Sequence, residues 1–218
     1  MEKILKQYFG FENFRPKQKE IIESVVSGHN TLGVLPTGSG KSLCFQVPGL
    51  EMDGLTLVIS PLISLMRDQV ETLNAQSIPA AYLNSTLKKK EIEAVMAGLE
   101  SGRYQFLYVA PERFNNEEFR QLVSRLDVSL IAFDEAHCIS KWGHDFRPSY
   151  QNIIPVLKEL VPEATTVGLT ATATEEVQEN IQELLDIEGA RVYSTSVARD
   201  NLHLSVNPTY QREQFIES

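Results

Sequence analysis

Short runs rich in β-branched and apolar residues alternate along this chain with longer stretches whose apolar positions recur every three or four residues. The short runs, at 31–35, 55–59, 80–83, 105–109, 129–133, 165–169 and 191–194, read as strands. The longer stretches, at 43–50, 63–75, 87–99, 117–126, 150–160 and 175–185, read as helices. In 63–75, Leu65, Met66, Val70 and Leu73 fall close to a 3.6-residue period. Asn116 stands directly before the acidic residues Glu117 and Glu118, which predicts a capped helix start. The runs 55–59 and 130–133 are apolar on both faces, the mark of a parallel sheet covered by helices on each side. Strand–helix alternation therefore predicts an α/β fold, doubly wound, with a mainly parallel sheet and helices on both faces. Ligands of such folds bind at the carboxyl ends of strands, so functional residues should follow strands directly.

At 218 residues the chain has room for one large domain or two small ones. With 42% apolar and 22% charged residues, disorder, collagen and coiled coil are disfavoured. No apolar run is long enough for a membrane span, and no apolar core follows the N-terminal lysines, so neither membrane association nor secretion is expected. Cys44 and Cys138 are too few for a disulfide framework or a four-thiolate site, so no zinc is expected and a reduced, cytoplasmic setting is. The net charge of −9 argues against binding nucleic acid by bulk charge. Its distribution is uneven: +2 over residues 1–50, −4 over 51–150 and −7 over 151–218. A polyanion site must therefore be a local surface built mainly from the first two thirds.

The residues after the first strand are Pro36-Thr37-Gly38-Ser39-Gly40-Lys41-Ser42, followed by an apolar helix. Gly38 and Gly40 permit a tight turn in which successive N–H groups face one concavity, beside the positive end of the helix. Lys41 would set its ammonium on the β- and γ-phosphates of a nucleotide, and the Ser42 hydroxyl would ligate Mg²⁺. The strict phosphate-loop pattern asks for glycine at position 35, where this chain has Leu35. The apolar strand 129–133 ends in Asp134-Glu135-Ala136-His137. Asp134 is placed to hold Mg²⁺, partly through water, and Glu135 to orient or deprotonate an attacking water. On an extended chain the two acids point in opposite directions, which gives them separate roles.

PTGSGKS, DEAH and the Thr170-Ala171-Thr172 tripeptide of GLTATAT resemble motifs I, II and III of superfamily 2 helicases. Three further segments resemble those of the RecQ-like DNA helicases. They are YFGFENFRPKQ at 8–18, SPLISLMRDQV at 60–70 and the aromatic loop CISKWGHDFRPSY at 138–150. The resemblance runs in order to about residue 205; Ser39, Phe45 and Lys141 depart from the usual family residues, and Lys141 alters the charge beside Trp142.

The resemblance implies a RecA-like ATP-binding domain over 1–204, with 205–218 beginning a linker or second domain. It implies ATP and Mg²⁺ as cofactors. Phe11 would stack on adenine, Gln18 would read its edge and Arg15 would fix base or phosphates. Pro36, Thr37, Gly38, Ser39, Gly40, Lys41 and Ser42 would enclose the phosphates, while Lys41, Asp134 and Glu135 carry the chemistry. DNA, single-stranded and partly duplex, would be met by Ser60, Pro61 and Arg67, and by Trp142 and Phe146, whose faces suit unpaired bases. His144 and Arg147 would relay DNA contact to the ATP site. Thr170 and Thr172 would hydrogen-bond the acids of the DEAH segment. Asn84, Ser85 and Thr86, after the strand at 80–83, are also placed to contact DNA phosphates. The residues themselves also allow blander roles: Phe14 as a core aromatic, Gln18 as a solvated helix residue, Tyr150 as a core plug, and Ser85 and Thr86 as ordinary caps.

The implied activity is that of a 3′–5′ DNA helicase motor, monomeric, complete only with a second RecA-like domain that supplies an arginine to the transferring phosphate. Arg199-Asp200-Asn201-Leu202 resembles the entry into that domain, and the rest of it is expected to be absent from these 218 residues. A nucleotide-dependent DNA-binding or regulatory module without turnover is the alternative, disfavoured by an intact Glu135. A small-molecule kinase would leave the aromatic loop unexplained.

Overall fold

The computed structural model describes residues 1–143, 145–187 and 189–195. His144, Arg199–202 and the expected boundary at 204 lie outside them. Two helices open the chain, α1 (Glu2–Phe9) and α2 (Gln18–Val26), where the sequence reading set no bounds. Gly10, in the left-handed region at φ 72°, closes α1 by donating its N–H to Lys6 O. Then follow β1 (Thr31–Val34), α3 (Leu43–Glu51), β2 (Leu55–Ile59), α4 (Ile63–Ala75), β3 (Ala80–Leu83), α5 (Lys89–Glu100) and β4 (Phe106–Val109). After a short 3-10 turn come α6 (Glu117–Val123), β5 (Val128–Phe133) and a second 3-10 turn (Ala136–Ile139). The remaining elements are α7 (Pro148–Leu160), β6 (Thr165–Thr170), α8 (Glu175–Leu185) and β7 (Arg191–Ser194). Asn116 caps α6 through its side chain, as expected, by accepting from Phe119 N at 2.8 Å.

The seven strands form one sheet in the order β3-β4-β2-β5-β6-β1-β7, and every pairing is parallel. Alternate residues of one strand enter opposite cores. Leu57 and Ile59 of β2, with Ile131 and Phe133 of β5, pack against α5 to α8. Val58, Leu130 and Ala132 face the other way, onto Ile21, Phe45, Met66 and Val70 of α2, α3 and α4. This two-sided burial is what the doubly apolar strands predicted. The strand order sets β6 between β1 and β5, so the loops following residues 34, 133 and 170 emerge side by side at one edge of the sheet. Backbone bonds fix that arrangement: Leu35 N–H donates to Thr170 O, and Asp134 N–H to Ile59 O, both at 2.9 Å.

Candidate active site

The phosphate loop turns on Gly38 and Gly40, at φ 80° and 81°, a region that L side chains enter only with strain. Ser39 N–H is spent on Pro36 O at 3.1 Å. Among the described residues, the N–H groups of Gly40, Lys41 and Ser42 donate to no protein acceptor. Ser42 sits at the N-cap of α3, yet its hydroxyl makes no capping bond. The loop thus offers free amides, an ammonium and a hydroxyl to a polyanion. The Ser39 hydroxyl, an addition to the usual glycine-rich loop, is buried and without a partner.

The residues expected to read the base hold this loop in the free chain. Gln18 is only 1% exposed, so the solvated position is excluded. Its Nε2 donates to Ser39 O at 2.8 Å and Gly40 O at 3.0 Å, and its Oε1 accepts from Arg15 N at 2.8 Å. The Arg15 guanidinium bonds Gly38 O. Three consecutive carbonyls, of Gly38, Ser39 and Gly40, are therefore held by two side chains. Phe11 is 51% exposed and available for stacking. Phe14 is half-buried at the surface and is absent from either core, contrary to its expected role as a core aromatic.

Asp134 ends β5 at 3% exposure. Its Oδ1 accepts from Glu135 N at 3.1 Å, while Oδ2 is buried with no partner. Burial, and then the charge of Glu135, push its carboxyl up to about 6; Lys41 and His137 oppose the shift. An orphaned carboxylate oxygen and, on the neighbouring loop, the uncapped Ser42 hydroxyl are oxygen donors of the kind Mg²⁺ takes. The chain is not extended through the two acids, as had been expected. Glu135 lies in the left-handed region, at φ 51° and ψ 50°, and starts the 3-10 turn. Glu135 lines a cleft of about 400 Å³ whose walls include Thr37, Pro61, His137, Cys138 and Thr172.

His137, buried, places Nδ1 3.3 Å from Glu135 Oε2 and 3.0 Å from Thr170 Oγ. Thr170 in turn donates to Thr172 O at 3.3 Å. His137 Nδ1 therefore faces both Thr170 and Glu135. Thr170 thus meets the histidine of the DEAH segment, correcting its expected bond to an acid, and Thr172 takes part through its carbonyl. The reason is the turn at Glu135, which brings residue 137 back over the end of β6.

Beyond this turn the aromatic loop folds over the strand ends. Trp142 is 69% exposed and Phe146 half-buried. Arg147 donates to Pro61 O at 3.1 Å and pairs with Asp145 at 3.0 Å, joining the loop to the segment after β2. Asp145 went unnoticed in the sequence; its signal was a carboxylate two residues before a functional arginine. Tyr150 is the core plug: its hydroxyl, fully buried, lies 3.3 Å from Ile59 O and 3.2 Å from Asp134 O. Arg67 is exposed and pairs with Glu71 at 2.7 Å. Ser60, expected at a DNA surface, is instead 1% exposed with its hydroxyl unpartnered, because it continues β2 between its two neighbouring strands. Thr86 is tied to Asn84 in a local turn.

The family model described as DEAD/DEAH box helicase matches residues 15–180. The ATP-dependent DNA helicase RecQ of Bacillus subtilis (strain 168) is 46% identical over 217 residues, 99% of this chain and 37% of that protein. The protein of the same name from Haemophilus influenzae (strain ATCC 51907 / DSM 11121 / KW20 / Rd) is 45% identical over 208 residues, 95% of this chain and 33% of that protein. The chain thus spans about a third of the length of these curated relatives. Among solved structures, the Pyrococcus furiosus Hef helicase domain superposes with a TM-score of 0.64 at 26% identity, covering 83% of this chain and 38% of that one.

Proposed function

The chain belongs to the DEAD/DEAH box helicases, and from that premise we propose that it is the ATP-binding motor domain of a RecQ-type DNA helicase. Joined to a second RecA-like domain, it couples ATP hydrolysis to movement along single-stranded DNA and to duplex unwinding. The observation that carries this reading is the buried, half-unpartnered carboxylate of Asp134, within electrostatic reach of Lys41 on the loop whose amides are free. Relatives with ATP-dependent DNA helicase in their names support the substrate class.

The residues divide the work as follows. The N–H groups of Gly40, Lys41 and Ser42 donate to the phosphate oxygens, and the Lys41 ammonium offsets their charge. Mg²⁺ would be held by Ser42 and, partly through water, by Asp134, and supplies charge neutralisation across the β- and γ-phosphates. Glu135 takes a proton from the water that attacks the γ-phosphate. His137 and Thr170 hold the Glu135 carboxylate in place, and Phe11 and Gln18 receive the base. Gln18 also holds two phosphate-loop carbonyls, which ties base recognition to loop shape. Arg147 connects DNA at Trp142 to Pro61 and the active-site cleft. An arginine from the second domain contributes about 10³–10⁵ in rate in enzymes of this type, so the 218-residue chain alone hydrolyses ATP slowly and does not unwind duplex. The protein works as a monomer in the reducing cytoplasm.

The test is the ATPase rate with and without single-stranded DNA, for this chain and for a version extended by a second RecA-like domain. Strong stimulation in the extended protein, lost in Lys41→Ala and Glu135→Gln, is expected. Unwinding by the 218-residue chain alone would overturn the division of labour. Nucleotide and DNA binding without turnover in the extended protein would favour the regulatory module.

A further inference from the structure

The aromatic loop is tied at its ends and arched between them. Cys138 O accepts from Arg147 N–H at 2.8 Å, and Ile139 O accepts from Gln151 Nε2 of α7 at 2.9 Å. Further along, Gly143 N–H donates back to Ser140 O at 3.0 Å, which closes the turn on itself without fixing it to its surroundings. Ser140 is fully buried, and its hydroxyl serves two partners. It accepts from Trp142 N–H at 3.2 Å and donates its proton to Asn180 Oδ1 at 2.7 Å. Among the described residues, the bond to Asn180 is the hydrogen bond that joins residues 140–143 to a helix or strand of the fold.

Asn180 stands half-buried on α8, between Val177 and Ile181, which pack into the core. The helix is fastened to the segment it follows. Thr174 caps it by accepting from Val177 N–H at 3.3 Å, and Gln178 Nε2 donates to Ala173 O at 2.9 Å. The same segment brings Thr170 within 3.0 Å of His137 Nδ1 and sets Thr172 in the wall of the cleft that Glu135 lines. The contacts from Glu135 to Trp142 are therefore continuous: His137, Thr170, the start of α8, Asn180 and Ser140. Such a chain of ordered elements and specific hydrogen bonds is what carries orientation from one site to another.

We infer that Asn180 is a positioning residue for the aromatic loop: by accepting from Ser140 it fixes the backbone at Trp142, and with it the stance of the exposed indole, relative to α8 and the threonines beside Glu135. This deepens the motor reading above and rests on it. The indole face suits an unpaired base, and a loop already held in place binds without first being ordered. Asn180 acts through the Ser140 hydroxyl, not on nucleotide or DNA itself. A carboxylate at position 180 keeps the acceptor and should serve as well, whereas a leucine of similar size removes it.

Trp142 is the single tryptophan of the chain, so its fluorescence reports the loop directly. In the 218-residue chain, Asn180→Leu should lower the tryptophan anisotropy and Asn180→Asp should leave it unchanged. In the version extended by a second RecA-like domain, Asn180→Leu should raise the single-stranded DNA concentration that half-saturates ATPase stimulation about fivefold, with the rate in the absence of DNA unaffected. Asn180→Asp should restore the unaltered value. In a Ser140→Ala background, Asn180→Leu should cost nothing further. Ser140→Ala breaks the same bond from its other end, and supplies both readouts should Asn180→Leu fail to fold. Unchanged anisotropy or unchanged half-saturation in a folded Asn180→Leu protein, equal impairment by Asn180→Asp, or an added cost in the Ser140→Ala background overturns the positioning role and leaves the motor reading standing. No DNA stimulation in the unaltered extended protein sinks the motor reading, and this role with it.

Discussion

Asp134 is held in the free chain at a cost. Its carboxyl is raised to about 6 by burial and by Glu135, while an unfolded aspartate titrates near 4. The folded form therefore binds the proton more tightly, and this favours folding below about pH 4 and is lost as pH rises through about 6. At pH 8 the ionised group destabilises the apo fold by up to about 3 kcal/mol. Asp134→Asn keeps the acceptor for Glu135 N–H and removes the charge. It should raise the thermal midpoint of the nucleotide-free chain by a few degrees at pH 8 and by nothing at pH 4, while abolishing Mg²⁺-dependent nucleotide binding. An equal effect at both pH values would refute the electrostatic account. Glu135 stores a different strain, in its backbone at φ 51°. Glu135→Gly and Glu135→Gln remove the same charge, but only the glycine relieves the turn, so Glu135→Gly should be about 1 kcal/mol more stable than Glu135→Gln; both remove turnover. Equal melting temperatures for the two variants would show that the turn is unstrained. The two acids were legible as a pair, but the turn between them was not, because a left-handed glutamate leaves no mark in the sequence.

At the scale of elements, two contacts pin the loop after β5. Gly143 passes so close to the backbone of residue 137 that an added Cβ would lie 2.2 Å from His137 O. Gly143→Ala must push the loop off the strand ends, at about 1–3 kcal/mol, and should lower both the thermal midpoint and DNA affinity. Wild-type values for both would show that the loop is free to shift. Tyr150 supplies the hydroxyl over Asp134 O and Ile59 O. Ile59 O also accepts from Asp134 N–H, so Tyr150→Phe mainly orphans the carbonyl of Asp134, costing about 1–2 kcal/mol by chemical denaturation. The strands were found almost residue for residue because period and two-sided burial agree along them. Ser60 was misread for the same reason: position after a strand predicts a site, but the chain between two neighbouring strands stays buried one residue further than the pattern shows.

For the molecule as a whole, the strand order explains why three sequence-distant segments act together. β6 lies between β1 and β5, so the loops after Val34, Phe133 and Thr170 are neighbours although over a hundred residues separate the first from the last. The motifs were visible in the sequence, but their mutual contacts, Gln18 on the phosphate loop and Thr170 on His137, are tertiary and follow from packing alone. The acidic balance is a property of the whole chain, while the free amides and Lys41 are local, which is how a chain of net charge −9 can hold a polyanion. All of this depends on one pocket. Titration calorimetry with a non-hydrolysable ATP analogue measures it directly: one site per chain is expected, requiring Mg²⁺ and lost in Lys41→Ala. No binding by the unaltered chain, or binding that neither the lysine nor the metal affects, would contradict it.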